Sequence, residues 1–206
     1  MPHIEQWLEL WEGLGATAAD ANLFSQLIAQ YSGRTRHYHT IQHLDECLAW
    51  LPNTCSLAQN PYEVELALWF HDAIYDTKRQ DNELKSAEWA KASALTSGLP
   101  LPVAERIYDL VMATRHTAQP ESTDAKVLVD IDLSILGAPE ERFDEYERQV
   151  REEYAWVPAL LFRRKRRQIL EEFVARPRLF NTAFFLESHE AQARLNLKRS
   201  LAKLGS

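Results

Sequence analysis

The chain has 206 residues, 46% hydrophobic and 26% charged, enough for a sizeable core in one domain or at most two small ones. Thirty acidic against 23 basic side chains give a formal charge of −7, which argues against a surface built for nucleic acid or for an anionic bilayer. Two cysteines, Cys47 and Cys55, are too few for a disulfide scaffold; with no basic-apolar leader and no uncharged run of membrane-spanning length, the expected setting is the cytoplasm with reduced thiols.

Helical signals follow one another with short breaks. Ile4, Trp7, Leu8 and Trp11 form a stripe ending near Gly13 and Gly15, and Leu23, Leu27, Ile28 and Tyr31 form a second, closed by Ser32 and Gly33. RTRHYHT is a polar linker holding His37 and His39. Thr40 is placed to cap a third helix with the stripe Ile41, Leu44, Leu48 and Leu51, stopped by Pro52. His43 lies in it, one turn after His39 and one turn before Cys47.

The fourth segment, NPYEVELALWFHDAIYD over 60–76, has Asn60 at a cap position, Pro61 at the first helical position and Glu63 able to reach back to the cap. Val64, Ala67, Leu68, His71, Ile74 and Tyr75 then share one helical face. After a charged loop, Asp81 is placed to cap a helix to Ser97 with Gly98 as its stop, and Pro102 starts another that carries Ile107, Leu110, Val111 and Thr114 towards His116. A helix from about Asp124 to Gly137 contains Asp130 and Asp132. Pro139 begins a long charged helix reaching Trp156, Pro158 opens PALLFRRKRRQILEEFVA, and a last helix runs from around Ser188 to Leu204. No repeat, long linker or sustained period-2 alternation appears, so the expectation is a single all-α domain over 1–206, of roughly nine or ten helices.

His71 and Asp72 side by side at the buried end of a helix carry a desolvation cost that a divalent metal would offset for both at once. The bland reading is a core histidine beside a capping or salt-bridged aspartate. With His43 and one of Asp130 and Asp132, the pair makes a set of two imidazoles and two carboxylates, which suits Mn, Fe, Co, Ni, Zn or Mg more than a thiolate site would. His39 and His43 lack the adjacent glutamate of a zinc-protease helix, since Thr40 stands there. His37 and His39 read as linker or pocket-rim groups, and nothing around His3 or His189 recommends a role. Arg36, Lys78, Arg79 and Arg115 lie near these blocks and could meet a phosphate. The run RRKRR, Arg163 to Arg167, with Glu171 and Glu172 on the same helix, reads as a salt-bridged, solvated face rather than a nucleic-acid patch.

The ordered pattern H…HD…D, with the blocks RHYHTIQH, FHDAIYDTKRQDNELKSA, ATRHT, VDIDLSILG, VREEY and ARLNL from about Arg36 to Leu197, resembles the HD-domain superfamily of metal-dependent phosphohydrolases, and within it a bacterial branch of predicted phosphohydrolases. The resemblance implies an all-helical fold whose divalent metal is held by His43, His71, Asp72 and one of the two aspartates. It implies hydrolysis of a small phosphomonoester or phosphoanhydride, a nucleotide among the candidates, by water activated on the metal. His116 matches a histidine that some members use for a second metal or for the substrate phosphate. Nucleotidase members carry an acid-base glutamate three residues past the HD aspartate; Tyr75 stands there, and Asp76 and Glu83 are the nearest acidic candidates.

Between the two aspartates, helical neighbours favour Asp132. Leu128, Val129, Ile135 and Leu136 surround it, whereas Asp130 has Lys126 within reach and reads as a group behind the ligands or at the surface. The alignment of the resemblance favours Asp132 too. Two other classes stay open: a non-catalytic metal-containing ligand-binding or regulatory module, and an HD-type oxygenase with two irons.

Overall fold

The computed structural model describes residues 4–17 and 21–205; His3 lies outside them. Among the described residues there are twelve α-helices, two short 3-10 turns and no strand, as the stripes predict. Two of the twelve, Leu51–Thr54 and Ala183–Ser188, are only one or two turns long. None is long and apolar enough to cross a membrane. The chain divides into two compact units, Met1–Ile131 and Asp132–Ser206. The boundary falls inside the last turn of one helix, and Asp132 is described below with the helix that carries it.

The first unit holds α1 (Ile4–Gly13), α2 (Ala21–Tyr31), α3 (Ile41–Leu48), α4 (Leu51–Thr54), α5 (Pro61–Phe70), α6 (Asn82–Thr96), α7 (Leu101–Ala113) and α8 (Thr123–Asp132). Its centre is α5, which packs against α1, α3, α6 and α7. Val64, Leu66, Ala67, Leu68, Trp69 and Phe70 are all 1% exposed or less, so this helix is apolar on every side rather than along one stripe. Trp69 meets Trp7 of α1 at 5.1 Å and Phe24 of α2 at 5.8 Å between ring centroids, and Trp7 meets Trp11 edge-on at 5.4 Å.

The ends of α5 differ from the sequence expectation. Asn60 makes no side-chain cap bond. Instead the carboxylate of Asp124, at the start of α8, accepts from the Gln59 amide at 2.6 Å and from the Asn60 side-chain amide at 2.9 Å. Glu63 does not close a capping box; it accepts both arms of Arg106 on α7 at 2.6 and 2.9 Å. Tertiary partners have displaced the local ones. At the other end the helix stops at Phe70, so His71 and Asp72 sit in the turn beyond it and Ile74 and Tyr75 are not on the helix. Asp81 likewise does not cap α6, because its carboxylate is taken by Arg79 at 2.7 and 2.8 Å. Thr40 does cap α3, accepting from the Gln42 amide at 3.2 Å.

The second unit comprises a 3-10 turn over Leu133–Gly137, α9 (Glu140–Glu153), α10 (Ala159–Ala175), α11 (Ala183–Ser188) and α12 (Glu190–Gly205). The buried Asn196 of α12 donates to the carbonyls of Leu136 and Ala138 at 2.9 and 2.8 Å, which fastens the 3-10 turn to α12. RRKRR is not one face. Arg166 is buried, donates to Tyr146 Oη at 2.8 Å and pairs with Glu147, while Arg167 pairs with Glu171 across one helical turn at 2.8 Å.

Candidate metal centre

Three chain segments meet at the end of α5. From α3 comes His43, 2% exposed, next in sequence to the solvated Gln42. The turn after α5 brings His71, 1% exposed, and Asp72, whose side chain is 17% exposed. The linker before α3 brings Arg36, Tyr38 and His39.

The three functional atoms converge. His43 Nε2 lies 3.0 Å from His71 Nε2; Asp72 Oδ2 is 3.0 Å from His71 Nε2 and 3.5 Å from His43 Nε2. Donors about 2.1 Å from one cation, at right or tetrahedral angles, are separated by roughly 3.0–3.4 Å. The observed spacings are those of three donors facing a common centre. His71 Nδ1 is 2.7 Å from the Leu68 carbonyl, which can only accept, so this nitrogen carries the proton and Nε2 presents its lone pair to His43 and Asp72. A second such lone pair 3.0 Å away calls for a proton or a cation between them. Burial opposes ionisation of Asp72, but the imidazoles of His71, His39 and His43 around it prevail, holding its carboxyl well below the usual carboxylate range.

A wider set also forms. His43, Cys47, His71 and Asp132 each offer a ligand atom, and these atoms lie within 4.8 Å of one another. Asp132, the last residue of α8, is therefore the aspartate brought to the histidines, and Asp130 is not in the set. The burial argument for that choice is reversed. Asp130 is 0% exposed and Asp132 half-buried, so a partly exposed pair with Lys126 does not account for Asp130. Residues three and four away describe only the helix's own surface, and here other elements decide what is covered. Cys47 is the member sequence reasoning set aside. Its signal is the His43-x-x-x-Cys47 spacing, which puts both side chains on one face of α3. The donor set, two imidazoles with carboxylate and thiol at hand, fits a divalent transition metal.

The turn that presents Asp72 is built from the chain's own donors. Arg36, 7% exposed, donates to the carbonyls of Asp72 at 2.6 Å, Ala73 at 2.8 Å and His39 at 3.0 Å. Its guanidinium lies over the rings of Tyr31 and Tyr75. Arg36, a candidate for meeting a substrate anion, ties the linker to the His71–Asp72 turn, because buried carbonyls beyond a helix end need donors. Tyr31 accepts from the Asp72 amide at 3.3 Å and donates to the Trp69 carbonyl at 3.2 Å. Burial, then the Asp72 charge, raises its phenol well above the ordinary value, so it remains a neutral donor.

The remaining candidates lie around this core or away from it. Asp76 is exposed and fastens its own loop, accepting from the Lys78 amide at 2.9 Å, while Asn82 brackets its backbone at 3.0 and 3.1 Å. Glu83 is half-buried in the first turn of α6. Lys78, Arg79 and Arg115 are exposed. His116 ends the segment after α7 in a left-handed backbone conformation, φ 53°, and is not in the clustered set. Tyr75 stacks on His39 at 4.1 Å and 27° between planes.

Comparison with protein-family models, with curated proteins and with solved structures found no match for the chain.

Proposed function

We propose that the protein is a metal-dependent phosphohydrolase acting on a small phosphomonoester or phosphoanhydride, with nucleotides as the first substrates to try. The observation that carries this reading is the convergence of His43 Nε2, His71 Nε2 and Asp72 Oδ2 within 3.0–3.5 Å of one another. A divalent ion held by His43, His71, Asp72 and Asp132 supplies Lewis acidity towards a phosphoryl oxygen and lowers the pKa of a bound water.

The chain's own residues do the rest. Leu68 fixes the His71 tautomer through its carbonyl, and Arg36 and Tyr31 hold the turn so that Asp72 cannot swing away. Asp72 stays ionised and 17% exposed, able to accept a hydrogen bond from incoming water on its open side. Lys78, Arg79 and Arg115 are exposed cations proposed to meet a phosphate, Arg79 by exchanging its bond to Asp81. His39, half-buried and close enough to influence Asp72, joins Glu83 and His116 as a candidate for the group that meets the leaving-group oxygen.

Two observations favour a second reading, a metal-holding module that binds a ligand without turnover: Tyr75 stands at the acid-base position and Arg36 donates to backbone carbonyls. A screen of nucleotides and small phosphoesters with Mn, Mg, Co, Ni and Zn separates the two. The expected result is phosphate release that needs the metal, stops on chelation and falls by several orders of magnitude in Asp72→Ala with helicity retained. Release that persists in folded Asp72→Ala contradicts the hydrolase mechanism, and stoichiometric metal without any turnover selects the second reading.

A further inference from the structure

Cys47 departs from a pure nitrogen–oxygen site. It is 1% exposed, unpaired with any other cysteine, and one helical turn beyond His43 on α3. Its Sγ lies 3.8 Å from His43 Nε2 and 3.7 Å from Nδ1, and it belongs to the set of ligand atoms within 4.8 Å of one another. A sulfur about 2.3 Å and a nitrogen about 2.1 Å from one cation stand roughly 3.6–3.8 Å apart. The thiol therefore rests against the imidazole with which it would share an ion. A buried free cysteine is ordinarily a small apolar filler. Here its surroundings include two buried imidazoles rather than aliphatic groups alone.

We propose that Cys47 is a thiolate ligand of the same ion, so that the site takes zinc, cobalt or ferrous iron in preference to magnesium or calcium. The inference rests on the metal reading above and narrows it. Magnesium and calcium favour oxygen donors, whereas a Cys–His–His–Asp set with tetrahedral preference suits zinc and its neighbours. The thiol loses its proton on ligation and the released proton goes to solvent. Asp72, whose Oδ2 lies 3.0 Å from His71 Nε2, stays at the same ion beside these four, on the side open to water and substrate.

Cobalt(II) makes the test optical, because thiolate bound to cobalt gives a sulfur-to-metal charge-transfer band in the near ultraviolet that nitrogen and oxygen donors do not give. Apoprotein titrated with cobalt is expected to show that band at one equivalent, with Cys55→Ser retaining it as the control for the exposed thiol. Cys47→Ser and Cys47→Ala are expected to lose the band yet still bind cobalt, about tenfold or more weakly. Wild-type protein that binds cobalt without the band overturns the thiolate proposal and leaves the hydrolase reading standing. If wild-type protein binds no cobalt or zinc at all, both fall. Should Cys47→Ser fail to fold, the band in the wild type and its persistence in Cys55→Ser decide the matter alone.

Discussion

A buried guanidinium holds the residue that matters most. Arg36 spends its donors on the carbonyls of His39, Asp72 and Ala73, so the HD turn is fixed by a charge rather than by a helix cap. Lysine keeps the charge but cannot fork to separate acceptors. Arg36→Lys is expected to cost about 3 kcal/mol in urea unfolding, from charge-assisted bonds that one ammonium cannot replace. It should also weaken metal binding about tenfold or more by loosening Asp72. An unchanged unfolding midpoint with a raised KM for phosphoesters would return Arg36 to the substrate. At this scale the sequence is informative about identity and poor on role. His43, His71 and Asp72 were legible because a histidine–carboxylate pair in an apolar run has few inexpensive explanations. Cys47 was visible in its spacing, but its weight depends on His71 coming from another segment. The duties of Arg36 and Tyr31 depend on which carbonyls α5 leaves behind, and no local pattern encodes that.

Among the elements, α1, α2 and α3 were readable because each turns one face to the core and the other to solvent. α5 was readable in its start at Pro61 but not in its stripe, since Val64 and Leu66 to Phe70 are all buried and a stripe carries no information where both faces are covered. Its length was overestimated for the same reason. A carboxylate of this helix beside α1 offers a direct test of their packing. Glu65 is half-buried and accepts from Gln6 Nε2 of α1 at 2.8 Å, and burial pushes its carboxyl above the ordinary glutamate value despite that bond. Between the ordinary and the raised value the unfolded chain has lost this proton while the folded chain keeps it. Stability from this group therefore falls as pH rises through that window and levels off above it. Glu65→Gln is expected to remove that fall, gaining stability relative to wild type at pH 7 but not at pH 3, as read by denaturant midpoints. A variant whose difference from wild type is the same at both pH values would contradict the packing described here.

For the whole molecule, composition excluded more than it identified. The all-helical character followed from stripes and stop signals. The division at Asp132 did not, because it falls within a continuous helix and no linker announces it. The reversal of burial between Asp130 and Asp132 has the same origin: coverage is a property of the assembled fold. What the account asserts above all is that His43, His71 and Asp72 face a common cation. Elemental analysis joined to calorimetric titration of the apoprotein tests that most directly. The account predicts one divalent transition-metal ion per chain in the wild type and loss of that ion in His43→Ala and His71→Ala, with helicity intact by circular dichroism. Wild-type protein that takes up no ion, or folded histidine variants that hold it as tightly as the wild type, would contradict it.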